Sequence, residues 1–324
     1  MDPRLVTLDD IRAAQTRIRG VAARTPLVRL LIPELAGEVY VKAEGLQPVG
    51  SFKLRGAYNR ISQLADDERK RGVITYSSGN HAQGVAYAAR ALGARAVIVM
   101  PSNAPEIKRR ATAALGAEIV TVGPASSDRK KKAEELQARF GYVMIPPYDD
   151  PAIIAGQGTC GLEILEDLPE VDLVLSPVSG GGLLSGIAAA IKHQRPEVRV
   201  IGVEPELAAD AQESFRSGRL VTWPAEMTTR TIADGLRTQS LGELNFLHVR
   251  AFVDDIITVS DDEIRRAMRV LLHTARLTPE PSGAATTAAM LFHQTELLPY
   301  RKGVVVMSGG NVEPEVLQVV LAGS

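Results

Sequence analysis

Cysteine is almost absent from these 324 residues: Cys160 stands alone. That excludes a disulfide framework and fits a reducing, cytoplasmic setting. Histidine is sparse too. His81, His193, His248, His273 and His293 are scattered, with no His-x-x-x-His or Cys-x-x-Cys pair, so a zinc site is not expected. Neither sign of charge dominates. The 37 basic and 38 acidic residues leave a net charge of −1, and no nucleic-acid partner is expected. No apolar run approaches the ~20 residues of a bilayer-crossing helix. Met1-Asp2-Pro3-Arg4 runs into charged helical sequence without the apolar core of a signal peptide, so no membrane association is expected either. Low-complexity linkers and fixed-period repeats are also missing. What remains is a chain 45% hydrophobic, enough for a sizeable core and two lobes.

Helical and extended patterns alternate throughout, which predicts an α/β architecture with mainly parallel sheets. Strands are expected at Glu38–Lys42, Val73–Tyr76, Ala96–Met100, Glu118–Val122 and Tyr142–Ile145, with helices between them. Gly93, Gly116 and Gly141 stop those helices. These units are expected to form a small lobe, residues 72–148, set between the two parts of a larger lobe, 1–71 and 149–324. The larger lobe continues with strands at Val171–Leu175, Val198–Val203, Phe252–Val259 and Gly303–Met307. Ser260-Asp261-Asp262-Glu263 is a capping box. The carboxyl end follows soon after Asn311, so no appended regulatory domain is expected.

Four segments carry chemistry. Lys53, in Gly50-Ser51-Phe52-Lys53-Leu54-Arg55-Gly56, lies between small and apolar residues. Partial desolvation there would lower its basicity and make it a competent imine-forming nucleophile. Gly180-Gly181-Gly182 lies between an apolar strand and a helix, where backbone N–H groups can converge on a phosphate. A tight turn is the plain reading of the same glycines. Dinucleotide binding is another, since Gly180-x-Gly182 follows a strand and Glu204 ends the next one. Gly186, however, stands one place late for the third glycine, and a nicotinamide leaves Lys53 and Asn80 without a task. Ser77-Ser78-Gly79-Asn80-His81 is a donor-rich strand-to-helix loop, suited to a substrate carboxylate or a cofactor hydroxyl, or simply to helix capping. Ser308-Gly309-Gly310-Asn311 ends a buried strand, where a ligand can sit beyond the sheet's carboxyl edge.

Together, from about Thr25 to Asn311, these segments resemble the fold-type II pyridoxal-phosphate enzymes. Within them the chain is similar to the serine racemase and serine/threonine dehydratase (ammonia-lyase) family, which includes 3-hydroxyaspartate dehydratases. The resemblance implies a tryptophan synthase β-like fold of two lobes, each a mainly parallel twisted sheet flanked by helices, and a homodimer. It makes Lys53 the residue that bonds pyridoxal 5'-phosphate and removes the substrate Cα proton. Phe52 and Asn80 would flank the ring, with Asn80 toward its 3-hydroxyl. Gly180, Gly181, Gly182 and Leu183 would bind the phosphate, and Ser308 would face the ring nitrogen. Ser77, Ser78, Asn80, His81 and Arg129 would meet an amino-acid substrate, with Ser78 as acid/base on the opposite face. Glu204, the Ala208 carbonyl and Asp210 resemble the family's Mg²⁺ or Ca²⁺ site, a set of hard oxygen ligands.

The chain departs from the family pattern at Ser179, where relatives often carry glycine, and at Tyr148, where animal serine racemase has asparagine. Ser78 stands where many dedicated threonine dehydratases have alanine. The expected reaction is dehydration and deamination of serine, threonine or 3-hydroxyaspartate, with or without serine racemisation. A dedicated serine racemase or 3-hydroxyaspartate ammonia-lyase is the nearer alternative. A nicotinamide-dependent dehydrogenase and a non-catalytic amino-acid sensor are the more distant ones.

Overall fold

Strands buried along their whole length set the architecture of the computed structural model, which describes residues 4–77, 79–123 and 126–323. Among the described residues, ten strands form two sheets: β1 (Leu27–Leu30), β2 (Glu38–Ala43), β3 (Val73–Tyr76), β4 (Ala96–Pro101), β5 (Glu118–Val122), β6 (Val143–Met144), β7 (Leu173–Pro177), β8 (Arg199–Pro205), β9 (Asp255–Val259) and β10 (Lys302–Met307). The six-stranded sheet runs β1-β2-β10-β7-β8-β9. Only β1 and β2 pair antiparallel. The four-stranded sheet, β5-β4-β3-β6, is entirely parallel. Every residue of β4 and β7 is buried, as parallel ladders covered on both faces require. The sheets are thus of the kind the alternating pattern predicts.

Period-two alternation assigns the faces. Val305 and Met307 of β10 join a core with Met268 of the Asp261–Val270 helix and Ala285 of the Pro281–Phe292 helix. Val304 and Val306 face the other core, with Leu184 of the Gly182–Lys192 helix and Ile164 of the Pro151–Asp167 helix. Beneath the four-stranded sheet, Val73, Ile98 and Met100 pack with Val85 and Ala88. Leu54, Ala57 and Ile61 join them from the Lys53–Ile61 helix. The helix that begins at Lys53 therefore packs on the smaller sheet while its first turn is tied to the larger one. No helix among the described residues is long and apolar enough to cross a membrane.

A buried, charge-balanced cluster makes that tie. Arg55 is fully buried. Its Nε and Nη2 donate to Glu44 at 2.8 and 2.7 Å, and Nη1 and Nη2 to Glu163 at 2.7 Å each. Lys42 of β2 donates to Glu163 Oε2 and to the Thr25 carbonyl, both at 2.6 Å. Burial works to raise the Glu44 carboxyl, yet the Arg55 guanidinium outweighs it and holds Glu44 below its usual range.

The Pro151–Asp167 helix is hidden in the sequence by Gly156, Gly158 and Gly161, which weaken helix propensity. Asp150 caps it, accepting from Ala152 N and Ile153 N at 2.8 and 3.0 Å. Close packing explains the glycines. A Cβ on Gly186 would stand 2.4 Å from the Ile154 carbonyl oxygen and 2.5 Å from Gly158 N. Gly186, one place late for a dinucleotide fingerprint, is thus a helix-crossing residue. Gly186→Ala must push rigid backbone apart and is expected to lower unfolding free energy by about 2–3 kcal/mol. Chemical denaturation checks this, and an unchanged midpoint would contradict the packing account.

Candidate active site

Parallel strands bring their carboxyl ends to one edge, and the site lies there. β10, β7 and β8 are consecutive neighbours in the large sheet. The segments following them, Ser308–Asn311, Gly180–Gly182 and Glu206–Asp210, therefore share that edge. Lys53 is fastened to the same place. Ser51 forms a β-bridge with Gly309, and Phe52 N donates to the Ser308 carbonyl at 3.1 Å. Lys53 Nζ donates to the Pro147 carbonyl at 2.8 Å and lies 5.0 Å from the centre of the Phe52 ring. Burial, with no carboxylate to offset it, lowers the amine to about 8. This is the desolvation that the residues around Lys53 imply.

The glycine segment opens the Gly182–Lys192 helix. Gly181 is left-handed, at φ 93° and ψ −6°, and its N–H is taken by the Val178 carbonyl at 3.0 Å. Among the described residues no backbone acceptor meets the amides of Gly182 and Leu183. Nor does one meet the Gly180 amide, so Gly180, Gly182 and Leu183 keep open donors at this helix N-terminus, while the Gly181 amide closes the turn. Ser179 is also left-handed, at φ 55°, which costs a non-glycine residue about 1 kcal/mol. Its hydroxyl meets Thr238 Oγ1 at 3.2 Å. Tyr148 lies directly against the segment: a Cβ on Gly180 would fall 2.3 Å from its ring. Burial pushes its phenol up to about 12.

Asn80, the first residue of the Asn80–Ala91 helix, is held at both ends. Its Nδ2 donates to Glu280, and its Oδ1 accepts from Asn311 Nδ2 at 2.8 Å. Ser77 Oγ accepts from Gly79 N at 3.2 Å, fixing the loop's own turn. Ser78 lies outside the described residues. The buried His81 ring bonds the Ile145 carbonyl through Nε2 at 3.0 Å and lies within reach of the Lys53 charge. The Ser308 hydroxyl is nearly buried.

Two expected residues bear unsatisfied buried atoms. Arg129 is partly buried, and among the described residues its Nε has no partner. Burial lowers its basicity, and Tyr76, the last residue of β3, partly offsets that. Arg129 thus stands by the strand end that feeds Ser77. Glu204 and Asp210 are both buried, and neither oxygen of Asp210 has a partner among the described residues. Glu204 Oε2 accepts the Gln212 amide at 2.9 Å, and the Ala211 amide also faces this carboxylate. Burial raises Glu204 well above the usual range and Asp210 to about 7. Two facing carboxylates without a cation fit a divalent metal ion chemically. Among the described residues no third Asp, Glu, His or Cys joins them. That leaves a carbonyl such as that of Ala208, buried in the adjoining turn, to complete a protein ligand set.

An amine of lowered basicity, open amides at a helix N-terminus and a hydroxyl at a strand end fit a phosphorylated aldehyde. The residues that position them were not legible in sequence: Arg55, Glu44 and Glu163 below Lys53, and Glu280 and Asn311 around Asn80. Their only signal is charge or amide groups in otherwise apolar or glycine-rich stretches.

His81 gives the site a pH signature. Burial first, then the Lys53 charge, lowers its ring to about 3, so between that value and the ordinary ~6.5 the unfolded chain binds a proton that the folded one refuses. Stability is therefore lost as pH falls below ~6.5, by about 1.4 kcal/mol per pH unit from this residue. His81→Gln, which keeps an N–H donor for Ile145, is expected to remove that slope in denaturation at pH 7, 6 and 5. An unchanged slope would contradict a neutral buried His81.

Comparison with known proteins agrees with this geometry. The family model described as pyridoxal-phosphate dependent enzyme matches residues 18–309. The L-threo-3-hydroxyaspartate ammonia-lyase of Saccharomyces cerevisiae is 42% identical over 319 residues, 98% of this chain and 97% of that protein. The catabolic L-threonine dehydratase of Escherichia coli is 43% identical over 311 residues, 95% of this chain and 94% of that one. The structure of maize serine racemase superposes with a TM-score of 0.93 at 38% identity, covering 98% of this chain and 97% of that one. The chain belongs to the family of pyridoxal-phosphate dependent enzymes.

Proposed function

We propose that this protein eliminates water from 3-hydroxy amino acids (L-serine, L-threonine and L-threo-3-hydroxyaspartate) to give a 2-oxo acid and ammonia, with serine racemisation as a second outcome. Lys53 carries the reading: a desolvated amine, lowered to about 8, fastened beside Ser308 at the edge that also holds the glycine segment. Pyridoxal 5'-phosphate, when bound, supplies an electron sink for the breaking Cα–H bond. Lys53 would hold its aldehyde carbon and, once displaced by the substrate amine, take the Cα proton on Nζ. An amine titrating near 8 is well placed to do so at neutral pH. Gly180, Gly182 and Leu183 would donate their open amides to the phosphate, with Gly181 shaping the turn and its amide turned toward the same loop. Phe52 and Asn80 would flank the ring. The neutral Ser308 hydroxyl would face the ring nitrogen without holding a proton on it.

Ser77 and the amides of the Ser77–His81 loop would receive the substrate carboxylate. Ser78 would reprotonate Cα from the second face to give D-serine. Residues 72–148 are proposed to move as the small lobe. A homodimer in a reducing cytoplasm completes the reading. Cys160 is buried and free, and the exposed Val319 and Leu321 offer a second copy an apolar surface. Sedimentation reads the oligomeric state directly.

Arg129 favours a substrate with a second carboxylate. Its Nε, without a partner among the described residues, stands by the end of β3, and a bidentate contact there is worth about 1.5–3 kcal/mol, or about ten- to a hundredfold. The test is the formation of ammonia and 2-oxo acid from all three substrates, and of D-serine from L-serine. Arg129→Ala is expected to lose about ten- to a hundredfold in kcat/KM on L-threo-3-hydroxyaspartate and far less on threonine. Equal losses would leave Arg129 as part of a charged helix. Ser78→Ala is expected to lose D-serine formation while keeping elimination. No 2-oxo acid from any of the three would overturn the lyase assignment.

Glu204, Ala208 and Asp210 are proposed to bind Mg²⁺ or Ca²⁺, because two buried facing carboxylates call for a cation. A cation bound only by the folded state stabilises it by mass action. A chelator should therefore lower Tm and added Mg²⁺ or Ca²⁺ should restore it. A Tm indifferent to both would leave these carboxylates without a metal role.

A further inference from the structure

Lys108 is a nearly buried lysine that the proposed reaction does not use. It lies on the Glu106–Ala114 helix, which follows β4 of the four-stranded sheet. Its Nζ donates to Asp234 Oδ2 at 2.6 Å and to Glu280 Oε2 at 3.3 Å. Both carboxylates belong to the other side of the cleft. Asp234 starts the Asp234–Leu236 turn, and Glu280 precedes the Pro281–Phe292 helix, which packs on the six-stranded sheet. The side chains of Lys108 and Glu280 are only 5% and 1% exposed.

The ion triad reaches the site through two further contacts. Lys108 Nζ lies 3.6 Å from where a Cβ of Gly79 would stand, against the Ser77–His81 loop. Glu280 Oε1 accepts from Asn80 Nδ2 and lies 2.2 Å from where a Cβ of Gly309 would stand, beside Ser308. Asn311 Nδ2 donates to Asn80 Oδ1 at 2.8 Å and to the Val49 carbonyl at 2.9 Å. With an acceptor on its nitrogen and a donor on its oxygen, the Asn80 amide has one orientation. Its second N–H is left for the ligand.

We propose that Lys108, Asp234 and Glu280 form an ionic latch across the cleft, which holds the two lobes closed and sets the orientation of the Asn80 amide. The Asn80 half rests on the cofactor reading above; the latch does not. Closed, the lysine has two carboxylates and little water. Without Lys108, Asp234 and Glu280 would face each other with no counter-ion, and the cleft would open to hydrate them. Closure and Asn80 orientation are thereby linked, because Glu280 serves both.

The test is amide hydrogen exchange and steady-state kinetics on the purified holoenzyme carrying Lys108→Met. Exchange in peptides from the Glu106–Ala114 helix is expected to rise at least about tenfold, with the Pro151–Asp167 helix unchanged. KM for L-threonine is expected to rise about tenfold or more as the closed fraction falls, with kcat changed less than about threefold. Lys108→Arg, which keeps the cation, should restore both. If Lys108→Met does not fold, Lys108→Met with Asp234→Asn, which leaves no facing pair of carboxylates and keeps Glu280 on Asn80, replaces it: the latch is still lost, and the same rise in exchange of the Glu106–Ala114 helix is expected. Unchanged exchange and KM, or faster exchange spread evenly over the whole chain, would overturn the latch. The exchange arm decides the latch whether or not Lys53 holds a cofactor. Absence of a borohydride-sensitive visible absorbance would count against the cofactor reading alone.

Discussion

A buried guanidinium fixes the geometry of this molecule. Arg55 sits two residues after Lys53, has no solvent access, and gives two hydrogen bonds to each of two carboxylates. A planar fork can satisfy Glu44 and Glu163 together, which a lysine cannot. Removing any member leaves an uncompensated buried charge, so the four charged groups stand or fall as one. Through Glu44 and Lys42 the cluster grips β2 and the turn that follows it. Through Glu163 it grips the Pro151–Asp167 helix. That helix meets the Gly182–Lys192 helix at Gly158 and Gly186, and the second helix carries the glycine segment at its N-terminus. Lys53 and the glycine segment thus stand in fixed relation through one continuous chain of packed and charged contacts.

Two lysines show how surroundings decide what a residue does. Lys53 is desolvated without a carboxylate partner, and its amine falls to about 8. Lys108 is desolvated too, but Glu280 and Asp234 outweigh that and raise it. The first suits nucleophilic and basic chemistry, the second a permanent charge that pairs with two carboxylates across the site. The same logic separates the acids. Glu44 is held down by Arg55, while burial pushes up Glu204 and Asp210, which have no cation beside them among the described residues.

Much of this was legible in the sequence because it is local. Alternating hydrophobic patterns located β2 to β10 within a few residues, since buried parallel strands are short apolar runs bounded by glycine and proline. The amine, the glycine segment and the loop ahead of Asn80 were legible because their chemistry lies in consecutive residues. What escaped is non-local. β1 has four residues and no pattern of its own, and pairs antiparallel with β2 only because the turn between them allows it. The Pro151–Asp167 helix is masked by glycines that exist for packing. Arg55 and Glu163 are 108 positions apart and Lys108 and Glu280 172, so neither pair leaves a spacing to read. The side-chain direction of His81 likewise depends on Ile145, in the last part of the four-stranded sheet region.

Lys53, the desolvated amine at the sheet edge, is proposed as the residue that holds the cofactor. Borohydride reduction of the purified protein, followed by proteolysis and mass spectrometry, tests it directly. A phosphopyridoxyl adduct is expected on the peptide containing Lys53 and on no other lysine. An adduct on Lys108 or any other lysine, or none at all, would contradict the account.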